Sequence, residues 1–217
     1  MKNDQTTYAI AILGANGGIG RQAVELALKA GHHVTAILRN PANLTLVHTT
    51  LTLVQGDVMK PESLIKHFKN KDVVISAIGK TSLAETVLYS QGNSNVLEAM
   101  EASGVNRVFF ISASGLAVNP SHSIVVKLAT RFILQKILKK MYADLTRMEA
   151  IVKKSPLNWT IMRPPKLTNE ALTGRYRFSI DHFLKNGLKI SRANVAHFMI
   201  GNLFNAEIFK TTVEIAD

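Results

Sequence analysis

The sequence predicts an α/β fold, a doubly wound parallel sheet with helices on both faces and a small lobe towards the C-terminus. Three observations carry that expectation. Short apolar runs of strand length alternate with amphipathic helical stretches along the chain. The first run, Tyr8 to Leu13, is apolar throughout, as a strand covered on both faces is. That run leads straight into the glycine-rich turn Gly14-Ala15-Asn16-Gly17-Gly18-Ile19-Gly20, which opens a helix.

Tyr8 to Leu13 reads as the first buried strand. Ile19 to Ala30 places Ile19, Ala23, Leu26, Ala27 and Ala30 at helical spacing, and Gly31 stops it. Val34 to Leu38 and Leu51 to Val54 are the next strands. Pro61 opens a helix to about Phe68, with Glu62 in its first turn. Asp72 to Ile78 is the fourth strand, Thr86 to Ser103 a long helix stopped by Gly104, and Val105 to Ile111 the fifth strand. Helices follow over Ile124 to Met141 and Ala143 to Lys153, with Asp144 and Glu149 assigned to a solvated face. Asn158 to Met162 is the sixth strand, closed by Arg163-Pro164-Pro165. The rhythm then breaks, and residues 166–192 are expected to form a substrate-side lobe over the carboxyl ends of the strands. A helix near Ala193 to Phe204 and a strand near Phe209 to Ile215 complete one domain spanning 1–217.

The 217 residues include 26 Lys+Arg against 15 Asp+Glu, a formal charge of +11 that attracts anions. No block of five basic residues occurs, so nucleic acid is not the expected partner; a phosphorylated cofactor and an anionic small-molecule substrate explain the charge. Zero cysteines exclude a thiol nucleophile, a disulfide and a thiolate metal site. The seven histidines form no His-x-His or His-x-x-x-His pair, so no metal is expected. Ser114 lies in Ser-x-Ser-Gly and not in a nucleophile elbow. Neither a signal peptide nor an apolar run of membrane-spanning length is evident, so a cytoplasmic monomer or homodimer is expected, without membrane insertion. The 124–141 stretch is apolar around most of its circumference and dotted with basic residues. Core or subunit packing is its expected role, with a membrane surface as the alternative.

The glycine turn carries the chemistry. Gly14 allows a tight exit from the strand, Gly17 a close approach of backbone to phosphate, and Gly20 close packing of the helix. The helix N-terminus then presents N–H groups and a positive dipole end to a pyrophosphate. At the end of the second strand a carboxylate would accept from the ribose hydroxyls of NAD. The residues there are Leu38-Arg39-Asn40-Pro41. A guanidinium cannot accept those hydroxyls but pairs with a 2′-phosphate, so Arg39 favours NADP(H), and Arg21 is placed to add charge on the same side.

With GANGGIG, LRNP, Gly56-Asp57-Val58, Ala77-Ile78-Gly79 and WTIMRPP on nearly its whole length, the chain resembles an atypical short-chain dehydrogenase/reductase. More narrowly it is similar to NAD(P)H-binding proteins of the NmrA-like and flavin reductase/biliverdin reductase B type, whose fold is Rossmann-like. The resemblance implies a cofactor set of Gly14, Asn16, Gly17, Gly18, Ile19, Gly20, Arg39, Asp57, Val58, Ala77, Ile78, Gly79, Ser112, Pro164 and Pro165. In that set Asp57 and Val58 flank the adenine, and Ala77 to Gly79 run beside the adenosine ribose. Ser112, in Ser112-Ala113-Ser114, lies near the nicotinamide, and the two prolines border its amide. Thr173-Gly174-Arg175-Tyr176 looks like the family's threonine–glycine segment.

The departures narrow the activity. No Tyr-x-x-x-Lys exists: Tyr8, Tyr89, Tyr142 and Tyr176 are followed four residues on by Ile12, Asn93, Thr146 and Ile180. The alcohol/ketone mechanism that needs this pair is therefore not expected. A serine at the position of Ala113 and a histidine after the prolines, where Lys166 stands, are also missing, so biliverdin is not the expected substrate. Hydride transfer to a free flavin, or to a similar conjugated acceptor such as a quinone or a tetrapyrrole, asks mainly for position and a dry pocket. Ser112 and Lys166 are the catalytic candidates. A non-catalytic NADP(H)-binding redox sensor of the NmrA-like sort is the alternative.

Overall fold

The computed structural model describes residues 6–79, 84, 86–120, 123–129, 132 and 135–217. The chain enters through β1 (Ala9–Leu13), turns into α1 (Gly18–Lys29) and returns as β2 (His33–Leu38). Then follow β3 (Leu51–Gln55), α2 (Glu62–Phe68), β4 (Val73–Ser76), α3 (Leu88–Ser103) and β5 (Arg107–Ile111). Three helical pieces, α4 (Ile124–Ala129), α5 (Gln135–Ile137) and α6 (Lys139–Val152), lead to β6 (Asn158–Arg163). The C-terminal part holds β7 (Lys166–Thr168), β8 (Arg177–Ile180), β9 (Lys189–Ser191), α7 (Arg192–Gly201) and β10 (Thr211–Ala216).

The main sheet runs β3-β2-β1-β4-β5-β6-β10-β8. All neighbours pair in parallel except β8, which lies antiparallel on β10 with Ile180 opposite Val213. This is the doubly wound, Rossmann-like arrangement expected, extended by an antiparallel edge strand that the sequence pattern did not indicate. β7 and β9 form a separate parallel pair. One core layer joins α1 and α7 to the sheet through Ala23, Ala27, Val195 and Met199; the other holds α2, α3 and α6 through Phe68, Val96, Met100 and Met148. Strand order reverses beside β1, between β2 and β4, so the carboxyl ends of β1, β2 and β4 frame a crevice there.

Several expectations need correction. The fourth strand is shorter than expected, running from Val73 to Ser76, with the Ala77 N–H still donating to Leu13 O at 3.1 Å. The 124–141 stretch is not one helix: α6 begins at Lys139, after Leu138 leaves helical geometry at φ −96°, ψ 12°. Residues 130–131 and 133–134 of that stretch lie outside the described residues, as does Met1 to Gln5. Ile124, Val125, Leu128, Phe132 and Ile137 are exposed, whereas Leu138 and Met141 at the end of the stretch pack against the core layer of α2, α3 and α6.

Asp144 and Glu149 are buried, not solvated. Asp144 takes the Tyr89 and Ser90 N–H groups at 2.9 and 3.3 Å, and the Ser90 hydroxyl, so it caps α3 from another helix. Val87 at the N-cap offers no side-chain cap of its own. No helix among the described residues is long and apolar enough to cross a membrane.

Candidate active site

A cavity of about 990 Å³ runs along the carboxyl edge of the sheet, from the turn after β1 to the loops after β5 and β6. It sits at the upper end of the size range of small-molecule sites. At one end lies the glycine turn. Gly14 has φ +71°, and a Cβ there would strike the Ala77 carbonyl of the neighbouring strand. The Gly17 N–H donates to Gly14 O at 2.8 Å and closes the turn. A Cβ on Gly20 would strike the Gly14 carbonyl, so that glycine lets α1 pack on the turn itself.

The cavity brings together Gly14, Asn16, Gly17, Gly18, Ile19, Arg39, Asp57, Val58, Ala77, Ile78, Gly79, Ser112, Pro164, Pro165 and Lys166. Gly20 alone of the expected set is outside its wall, buried beneath the turn. Arg39 is exposed and in no ion pair among the described residues, so its guanidinium is open to an anion. Asp57 spends Oδ1 on the Met59 N–H at 3.0 Å. Arg21 is not on the Arg39 side; it pairs with Glu25 at 3.0 Å and borders a second, smaller cavity. The threonine–glycine segment is outside the cavity wall too. The Thr173 and Gly174 N–H groups both donate to Asn194 Oδ1 at 3.1 Å, which ties the segment to the start of α7.

At the far end the wall is largely apolar, with Leu88, Leu138, Met141, Leu145, Leu167 and Leu188 around Tyr142. Burial pushes the Tyr142 hydroxyl's pKa up, and Thr146 stands where an activating lysine would, donating to the Tyr142 carbonyl at 2.9 Å. Ser112 is buried, and its hydroxyl donates to Glu149 Oε1 at 2.7 Å, which commits its proton to a carboxylate. Burial by itself would raise the Glu149 pKa. The Arg163 guanidinium outweighs that, donating from Nε at 2.8 Å and also from Nη2, with Ser112 and Lys153 adding, and holds it below the usual carboxylate range.

Glu214 was not singled out from the sequence, because its position on the last strand follows from no motif. It lies on β10 opposite Arg163 of β6 and on the cavity wall. Its Oε2 accepts the Leu184 N–H at 2.8 Å, while Oε1 has no protein partner among the described residues. Burial raises its pKa; the Leu184 N–H and the more distant Arg163 charge offset that only in part.

The sequence profile of a family described as NAD(P)H-binding matches residues 14–206. An isoflavone reductase homolog of Nicotiana tabacum is 33% identical over 141 residues, 61% of this chain. The chain spans less than half, 43%, of that relative. A short-chain dehydrogenase/reductase of Veillonella parvula solved with NADP superposes at TM-score 0.78 and 18% identity, over 98% of this chain and 95% of that one. A Streptococcus pneumoniae structure assigned as an NADH-flavin reductase gives TM-score 0.78 at 22% identity, over 97% and 99%. At these identities the structural likeness is one of fold.

Proposed function

The chain belongs to the NAD(P)H-binding family, and from that premise we propose that it is an NADPH-dependent reductase of a free flavin or a similar conjugated acceptor such as a quinone. One observation carries the reading: a single cavity joins a glycine turn, an arginine at the end of β2 that forms no ion pair among the described residues, and an apolar chamber whose tyrosine lies in no Tyr-x-x-x-Lys motif. The turn fits a dinucleotide because Cβ atoms on Gly14 and Gly20 would fill or distort it. Arg39 would hold a 2′-phosphate, Asp57 and Val58 would flank the adenine, and Ala77, Ile78 and Gly79 would line its ribose. Pro164 and Pro165 would border the nicotinamide. When bound, the reduced nicotinamide supplies a hydride.

The other residues position and shield. The apolar wall excludes water from the ring faces. Ser112, its proton held by Glu149, accepts a hydrogen bond at Oγ and acts as a positioning residue. Glu214 lines the cavity with its carboxyl pKa raised by burial, and Lys166 offsets charge on a reduced acceptor. Flavin reduction fits because it needs no dedicated acid, and the chain lacks the tyrosine–lysine pair that carbonyl reduction uses.

The test is NADPH oxidation, followed by its absorbance, with FMN, FAD, riboflavin and a soluble quinone, repeated with NADH. Turnover with a flavin or quinone, faster with NADPH, is expected. Tight NADPH binding without turnover on any acceptor would transfer the assignment to a non-catalytic NADP(H)-binding regulator. That second reading draws on the exposed apolar face of Ile124, Val125, Leu128 and Ile137, a surface of the kind that partners cover.

A further inference from the structure

The cofactor reading leaves the negative charge of a dinucleotide's diphosphate without a cation at the glycine turn. Arg21, nearest in sequence, is tied to Glu25 outside the main cavity. A different arginine reaches the turn from the other end of the chain. Arg192 is the first residue of α7, whose start is fixed by Ser191 Oγ accepting the Asn194 N–H at 3.0 Å. α1 and α7 lie side by side in one core layer, and that packing carries the Arg192 side chain across Gly18. A Cβ on Gly18 would collide with Arg192 Cδ and Nε and stand 3.6 Å from Cζ. The missing side chain at position 18 is therefore what gives the arginine room.

Arg192 also borders both the main cavity and the second one, of about 320 Å³, and so stands between them at the glycine turn. Its Nη1 donates to Asn169 Oδ1 at 2.7 Å, a neutral partner that aims the guanidinium without cancelling its charge. Among the described residues it forms no ion pair; Glu170, next to Asn169, is bound by Lys189 at 2.8 Å.

We propose that Arg192 is a ligand of the dinucleotide's diphosphate bridge, supplied by α7 to the glycine turn of α1. The proposal rests on the cofactor reading. It divides recognition between two arginines: Arg39 reads the 2′-phosphate that only NADP(H) has, and Arg192 holds the diphosphate common to NADP(H) and NAD(H).

The test is binding, by calorimetric titration of NADPH, NADH, ADP-ribose and AMP to the wild type, Arg192→Gln and Arg192→Lys. Arg192→Gln is expected to lose about 10- to 100-fold for NADPH, NADH and ADP-ribose alike, the range of one charged hydrogen-bonded contact, with AMP changed less than about two-fold. Arg192→Lys, which keeps the charge without the fork, is expected between the two. An unchanged melting temperature of the unliganded variants separates this loss from misfolding. Wild-type affinity for ADP-ribose in Arg192→Gln overturns the proposal alone, as does an equal loss for AMP. Failure of the wild type to bind NADPH, NADH or ADP-ribose overturns the cofactor reading and the proposal with it.

Discussion

At the residue scale, the acidic side chains show how far a position's neighbours outweigh its pattern. Asp144 and Glu149 fall on what looks like the polar side of a helix, yet one caps α3 and the other binds Arg163 and Ser112. These partners lie 55, 37 and 14 residues away in the chain, outside the reach of any helical periodicity. Glu149→Gln is expected to destabilise the fold by about 2–4 kcal/mol at neutral pH, because it leaves the half-buried Arg163 without its charge partner. The Glu149 pKa is lowered in the folded state, so its stabilisation is present above the ordinary value of 4.5 and is lost as pH falls through the folded value. Urea unfolding at a series of pH values checks this; a penalty that persists undiminished at the acid end contradicts it. Glu214 has the opposite sign. Its folded pKa is raised, so its charge costs stability as pH rises from 4.5 through the folded value, and Glu214→Gln is expected to stabilise at neutral pH. Arg39→Asp is expected to lower NADPH affinity about ten-fold or more and NADH affinity far less. Equal losses measured by titration would remove the 2′-phosphate assignment.

At the element scale, the β1–α1 unit was legible because each of its constraints is local. The turn residues, the helix stop at Gly31 and the apolar spacing of Ile19, Ala23 and Ala27 lie within one short stretch. What local reading left open was the contact that each glycine serves. Gly20 proves to face the Gly14 carbonyl, and Gly18 the Arg192 side chain. Gly20→Ala is therefore expected to cost about 1–3 kcal/mol, since backbone and not a flexible side chain must move, and to weaken NADPH binding by displacing the turn. A melting temperature and a Kd equal to those of wild type would contradict this. The 124–141 stretch failed as a reading for the complementary reason. Its residues are apolar around most of the circumference and carry no glycine or proline stop, so nothing in the pattern marks the break at Leu138 or the exposed face.

At the scale of the whole molecule, a single buried cation joins elements distant in sequence. Arg107 on β5 donates to Leu203 O at 2.7 Å, Asn158 O at 2.9 Å and Thr160 Oγ1 at 2.8 Å, and its guanidinium lies between the Phe109 and Phe209 rings, 3.9 and 4.7 Å from their centroids. It ties β5 and β6 to the end of α7. Arg107→Met is expected to cost about 2–5 kcal/mol in urea unfolding, through acceptors left unpaired in the core. A loss under about 1 kcal/mol would show that the apolar replacement compensates. The same long-range order builds the far end of the cavity. By itself the sequence determined the alternating sheet, the glycine turn and the arginine at the end of β2, because periodicity, turn chemistry and strand-end position act between near neighbours. Only the tertiary structure decided that β8 closes the sheet, that Asp144 and Glu149 are buried, and that Glu214 and Arg192 reach the cavity. Each of those depends on two segments meeting across the sheet, a matter of packing between surfaces that no local pattern encodes.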